Sequence, residues 1–252
     1  MTSTPDSVHT LQVAKDLYID KAWKDSLFNK IVRSSVSSKK EYNYSDLGYY
    51  FMQRIIERKT RMSLDEYVER AFYKPLGAST MGYNPLKSLP QEQIIPTEFD
   101  RFFRKQLLQG YVHDPGAAMM GGVAGHAGVF ASAGDLAKLM QMYLNKGVYG
   151  GERYLSDSIM TRFTSCPFYP YNHRGISFDK PGIRGTVGPV CSCVPPSSFG
   201  HTGFTGTIAW VDPDNQLIYI FLSNRVHPDA ENTKINKLSL RQNIQQTIYN
   251  AL

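Results

Sequence analysis

No stretch of the 252 residues is apolar for long enough to span a bilayer. The first residues, MTSTPDSVHTLQ, lack the basic start and apolar core of a signal peptide. Cysteine is scarce: Cys166, Cys191 and Cys193 are the only three. The Cys-x-Cys pair has no second pair and no His at zinc-ligand spacing, which argues against a metal site. In an oxidising compartment, a disulfide from Cys166 to one of the other two would leave one thiol over. Long runs of one charge are missing too. Lys and Arg are scattered, with short clusters such as Lys39-Lys40, so the net charge of +6 leaves no nucleic-acid footprint. That charge is a solvated surface, or an attraction to an anionic envelope polymer or membrane. There is no internal repeat and no low-complexity tract. A hydrophobic content of 42% with 20% charged residues excludes a disordered chain.

What is present centres on residues 198–224, SFGHTGFTGTIAWVDPDNQLIYIFLSN. Ile208, Trp210 and Val211 make a β-rich arm. Pro213-Asp214-Asn215 is a turn signal, because Pro presets φ and Asp and Asn tolerate tight backbone. Leu217 to Leu222 is a nearly continuous apolar run, as expected of a strand covered on both faces. In front lies His201-Thr202-Gly203, with Gly200 and Gly206 close by. Glycine lets another backbone or a ligand approach. Taken alone, the tripeptide reads as a strand end with a solvated His.

The rest of the chain supplies helices and a Gly-rich loop. Apolar spacing predicts a helix over 6–33. Residues 34–40 are a polar linker. Tyr42 to Lys59 begins with Ser45 or Asp46 as a helix cap. A second helix, Ser63 to Phe72, opens on a Ser63–Glu66 capping box. Residues 97–109 are read as another helix, with Glu98 and Asp100 at its cap. From Gly110 to Phe130, Gly and Ala are dense around His113, Asp114 and His126. That density makes either the wall of a binding site or a tight interior crossing. Ser132 caps a helix that Gly147 ends. Ser156 starts another, Arg174 to Phe178 forms a strand, and Asn236 to Leu252 forms a C-terminal helix. Its Leu238, Leu240, Ile244 and Ile248 are expected to bury against Ile218, Ile220 and Leu222. His173 and His227 are read as surface residues.

The order of these segments carries more than any one of them. YSDLGYYFMQRIIERK, GGVAGHAGVFASAGDLAKLMQMYLNKG and GHTGFTGTIAWVDPDNQLIYIFLSNR together resemble the serine β-lactamase, penicillin-binding and esterase superfamily, closest in style to class C β-lactamase-like domains. The match runs from about Tyr42 to Leu252, and it reverses the bland reading of His201-Thr202-Gly203. The resemblance implies an α/β (α+β) fold, with an antiparallel sheet flanked by helices, forming a single β-lactamase-like domain over 1–252. It implies no cofactor and no metal, and a substrate that is a peptidoglycan-like peptide, a β-lactam or an ester.

The family carries Ser-x-x-Lys, then Tyr-x-Asn or Ser-x-Asn, then Lys-Thr-Gly or His-Thr-Gly. Tyr44 matches the second-motif Tyr, and the resemblance implies that its phenol shuttles the proton between nucleophile and leaving group. Asp46 stands where Asn is usual; a carboxylate cannot donate to a substrate carbonyl as an amide can. His201 stands at the third-motif cation, where it would donate to a substrate carboxylate or polarise Tyr44. Thr202 would offer its hydroxyl to the same group, and Gly203 would leave room for the acyl chain. A backbone amide near Phe204 or Thr205 would help form the oxyanion hole. The loop bearing His113, Asp114 and His126 would lie near the site rim, its His residues serving structure more than chemistry.

Ser37-x-x-Lys40 matches the first motif in spelling, but its polar surroundings are wrong for a buried helix. The expectation is therefore of a domain incomplete at its N-terminus: its first strands and nucleophile helix belong upstream, in a longer periplasmic or cell-surface polypeptide. A non-catalytic ligand-binding relative or remnant domain is the competing expectation.

Overall fold

The computed structural model describes residues 1–39, 41–169, 172–182 and 188–252. The chain divides into two compact units. The first holds residues 1–71, 80–131 and 227–229.

It opens not on the predicted helix but on a hairpin, β1 Leu11–Ala14 against β2 Leu17–Ile19. Asp16 takes the left-handed φ of 49° that the tight turn needs, a conformation Asp tolerates better than most residues. Only α1, Trp23–Val32, keeps the helix expected of that segment. Next come α2, Leu47–Thr60, and α3, Leu64–Val68. The capping box at Ser63 does not form: Ser63 makes no cap bond, and the Leu64 amide donates instead to Glu57.

A two-residue strand β3, Gly82–Tyr83, follows. The stretch read as a helix over 97–109 is a hairpin, β4 Pro96–Asp100 and β5 Gln106–Gln109. Asp100 decides this locally, because its carboxylate accepts the amides of Phe102, Phe103 and Arg104 and closes the turn. Helix α4, Pro115–Met119, starts at Asp114, whose carboxylate accepts the Ala117 amide. Strand β6, Val129–Phe130, pairs with β3. Val13, Ile19, Val112, Ala117, Ala118 and Ala124 form the core.

The second unit holds residues 72–79, 132–226 and 230–252. Helix α5, Ala133–Leu144, starts at Ser132, whose hydroxyl accepts the Asp135 amide. Strands β7, Val148–Tyr149, and β8, Glu152–Arg153, form a short hairpin before α6, Asp157–Thr164, which Ser156 caps. The sheet comprises β9 Phe199–Thr202, β10 Ile208–Asp212 and β11 Leu217–Phe221, antiparallel in the order β11-β10-β9. Residues 174–178 are not a strand; Asp179 alone bridges to Gly200. The C-terminal helix is broken in two, α7 Lys234–Lys237 and α8 Leu240–Tyr249, at Ser239 with φ 47°.

The twofold side-chain alternation of strands sorts the sheet's faces. Ile208, Trp210 and Tyr219 pack with Ile244 and Ile248 of α8. Val211, Ile218 and Ile220 pack on the other face with Leu136 and Met140 of α5 and Met160 of α6. The expected burial of α8 against Ile218 and Ile220 is thus wrong by one residue of register. Leu238 and Leu240 are exposed, as is Leu222. The hairpin turn is locked by buried Asp212, which accepts from the Asp214 and Asn215 amides, the Asn215 side chain and the Tyr249 hydroxyl.

Candidate active site

Two of the sequence motifs lie in different units, and each has its own local construction.

In the second unit, His201 sits on β9 opposite Ala209. A Cβ at its neighbour Gly200 would lie 2.2 Å from the Ala209 carbonyl oxygen, so only glycine lets β9 run this close to β10. The His201 ring has defined roles for both nitrogens. Nδ1 lies 2.7 Å from the Thr202 carbonyl, which can only accept, so Nδ1 donates. Nε2 lies 2.9 Å from Nη2 of Arg174, which can only donate, so Nε2 accepts. These two partners fit the tautomer with its proton on Nδ1. Arg174 in turn pairs with Asp179 at 2.6 Å, and Asp179 lies 3.8 Å from His201. The cation of this cluster is therefore Arg174, which sequence reading passed over because Arg174 stands far from any motif.

After Thr202 the chain makes a tight loop. The Gly203 amide donates to the Thr207 carbonyl, and the Gly206 amide to the Gly203 carbonyl. Arg225 clamps it from outside. Its Nε donates to the Phe204 carbonyl at 2.8 Å, its own amide donates to the Thr205 carbonyl at 3.0 Å, and its guanidinium covers the exposed Phe204 ring at 4.4 Å. Its Nη1 also reaches the carbonyls of Ala230 and Asn232.

In the first unit, Tyr44 is exposed and stands just ahead of α2. Asp46 holds the cap position but makes no side-chain cap bond; Ser45 accepts the Leu47 amide instead. The Gly-rich loop grips α2. Gln53 donates to the Val123 carbonyl and accepts the Gly125 amide. A Cβ at Gly125 would lie 2.4 Å from the Tyr49 carbonyl oxygen, so loop and helix backbones touch here.

His113 and Asp114 do not pair with each other, as adjacent residues rarely can. His113 Nδ1 lies 2.7 Å from Glu98, and Asp114 lies 2.9 Å from Nε2 of His126. The His126 ring lies over Tyr50, with centroids 4.6 Å apart. Burial, Asp114 and Asp46 push the Tyr50 phenol up to about 12. Burial works against ionised Asp114, but the hydrogen bonds from His126 and the Ala117 amide hold its carboxyl below the usual carboxylate range.

Glu98 and Asp100 are buried strand residues and not a helix cap. Both face Arg104, whose side chain is fully buried. It donates to Asp100 at 2.7 Å and to the Val112 and His113 carbonyls, and lies 3.7 Å from Glu98. Burial opposes charge on Asp100, but Arg104 and three amides outweigh it and hold its carboxyl at about 2.

Cys191 and Cys193 are joined to each other and Cys166 is free, so the cross-link expected from Cys166 is not made. Among the described residues no group of three His, Cys, Asp or Glu could hold a metal ion.

The β-lactamase family model matches residues 9–243. The chain belongs to the β-lactamase family. A Salmonella enteritidis PT4 protein, provisionally named a D-alanyl-D-alanine carboxypeptidase, is 38% identical over 212 residues, covering 77% of this chain and 47% of that protein. The chain thus spans about half the length of the curated relatives it matches. Solved structures of the same fold include a Mycobacterium bovis β-lactamase (TM-score 0.56, 19% identity, 84% of this chain and 64% of that one). A penicillin-binding protein homologue from Caulobacter crescentus gives TM-score 0.54 at 17% identity, covering 86% and 63%. A simvastatin synthase mutant from Aspergillus terreus gives 0.58 at 16%, covering 84% and 55%. The fold is accordingly the β-lactamase/transpeptidase-like α+β fold.

A β-lactamase nucleophile needs Ser and Lys one helical turn apart on one face. Ser37 lies in irregular, exposed chain, and its partner Lys40 falls outside the described residues. The sequence spells the motif a second time, at Ser177-Phe178-Asp179-Lys180, which the sequence reading missed. This segment is not helical. Ser177 is exposed with φ 67°, whereas Lys180 is buried and donates to the Ser197 carbonyl at 2.9 Å. Ser177 and Lys180 therefore do not form the helical Ser-x-x-Lys arrangement.

Proposed function

We propose that these residues supply the proton-shuttle and substrate-anchoring parts of a serine acyl hydrolase whose nucleophile belongs to a longer polypeptide. The substrate class that fits best is a peptide ending in a free D-alanine carboxylate, as in peptidoglycan stem peptides, with β-lactams as mimics. An envelope location follows from that substrate class and from the carboxypeptidase name of the relatives.

The observation that carries this reading is His201 bonded to Arg174 beside Thr202. A guanidinium and a hydroxyl suit a carboxylate, because Arg presents a planar fork of donors. His201 then orients Arg174 and leaves the role of anchoring cation to it. Tyr44 serves as the proton shuttle. The Phe204–Thr205 loop, held by Arg225, supplies the amide that faces the oxyanion.

The test is kinetic and uses the longer polypeptide. Arg174→Ala should raise KM for a D-alanyl-D-alanine peptide and leave hydrolysis of an uncharged ester nearly unchanged. An equal loss on both substrates would remove the carboxylate from the proposal.

The competing reading is a ligand-binding relative without turnover. It draws on Asp46, which replaces the amide donor of the second motif with an acceptor. Asp46→Asn should then create no activity in any length of polypeptide.

A further inference from the structure

A cavity of about 1240 Å³ lies within the second unit, lined by the end of α6, residues 180–182 and 188–197, and the first turns of α8. Its walls are rich in donors: Thr164, Ser192, Gln242 and Gln246 all line it. Among the described lining residues there is no Asp and no Glu.

Among the described lining residues, Lys180 is the one full cation. Lys180 is 7% exposed, and among the described residues its one hydrogen bond is to the Ser197 carbonyl, with no carboxylate paired to it. Burial lowers its pKa, and only Cys166 and Asp214, acting through space, oppose that. A buried ammonium has three N–H donors, and isolated it is costly. His173 also lines the cavity, and among the described residues its buried Nε2 has no hydrogen-bond partner. Contrary to the surface position read from sequence, His173 thus carries a buried ring nitrogen. Two independent groups, one charged and one orphaned among the described residues, line a space whose described walls hold no carboxylate. Apolar side chains, among them the buried Val190 and Val194, complete the wall.

We propose that this cavity binds an organic oxyanion with a short apolar body, its charge on Lys180 and His173 and its body on Val190 and Val194. Lysine offers a compact point charge and not a fork, so carboxylates and phosphate monoesters share the required chemistry. The site is built entirely within one unit and does not rest on the hydrolase reading.

Calorimetry on the 252-residue chain tests it with octanoate, octyl phosphate, octanol and octyltrimethylammonium. Both anions should bind, octanol at least about tenfold more weakly, since a hydrogen bond to a charged group carries roughly that factor. The ammonium should not bind. Whichever of octanoate and octyl phosphate binds more tightly identifies the headgroup. Lys180→Met should lose about tenfold in anion affinity, and Lys180→Arg should keep most of it. Octanol binding as tightly as octanoate, or anion affinity unchanged in Lys180→Met, would overturn the proposal. So would an absence of anion binding at millimolar concentration. Should Lys180→Met fail to fold, the His173 ring nitrogen resonances of the unaltered chain decide: they should shift on adding octanoate, and unmoved resonances refute the site.

Discussion

Nη2 of Arg174 donates to Nε2 of His201 across 2.9 Å, while Nδ1 of the same ring donates to the Thr202 carbonyl. Both ring nitrogens are committed by partners that permit one tautomer only. In the proposed site, the histidine at the third-motif position aims a guanidinium. Removing Arg174 should cost about 10- to 100-fold in KM for a carboxylate-bearing substrate of the longer enzyme, the usual range for a hydrogen bond to a charged group. Arg174→Lys should recover only part of it, because a point charge cannot chelate. Steady-state kinetics with paired acid and ester substrates check this.

Acid should weaken the first unit through Asp100. Its folded pKa of about 2 lies below the ordinary 3.8, so the stabilisation is fully present above about pH 4 and is lost as pH falls toward 2. The linkage amounts to about 2 kcal/mol. Urea midpoints between pH 5 and pH 2 should fall for the unaltered chain and fall less for Asp100→Asn, which should also be weaker at neutral pH. Parallel profiles for the two would show that Asp100 does not carry the effect.

Arg104 should be among the costliest single residues to truncate. Its loss leaves Asp100 and Glu98 buried without their cation, and breaking such a pair costs about 3–5 kcal/mol. Thermal unfolding of Arg104→Met measures it; a change under about 1 kcal/mol would contradict the network drawn here.

Gly125→Ala should loosen the loop from α2. The added Cβ would meet the Tyr49 carbonyl, a backbone atom that cannot swing away, and such overpacking costs about 1–3 kcal/mol. Hydrogen exchange should report it at the Gly125 amide, whose partner is Gln53. Unchanged protection there would mean that the contact is not tight.

Much of the second unit was legible in the sequence. The Pro213-Asp214-Asn215 turn, the doubly covered strand at Leu217 and the Ser132 and Ser156 caps all follow from local chemistry and all form. The first unit was harder. Residues 11–19 and 97–109 have apolar spacings compatible with a helix, and only the turns at Asp16 and Asp100 turn them into hairpins. Arg174 and Lys180 reach partners 27 and 17 residues away, so no local pattern announces them. His173 shows the same limit in reverse: nothing about a lone His in a loop foretells a buried nitrogen.

The central claim is that these residues complete an acyl hydrolase without holding its nucleophile. A labelled penicillin, incubated with the 252-residue chain and with the longer polypeptide that the proposal calls for, tests it by peptide mass spectrometry. Acyl transfer needs a serine with an adjacent base; Ser37 lies in exposed irregular chain, and the lysine after Ser177 is engaged with the Ser197 carbonyl. The prediction is no adduct on the chain and one serine adduct, outside these residues, on the longer polypeptide, formed far more slowly in Tyr44→Phe. A stoichiometric adduct on Ser37 or Ser177 of the chain, lost on substitution by Ala, would contradict the account, as would a longer polypeptide that takes no label.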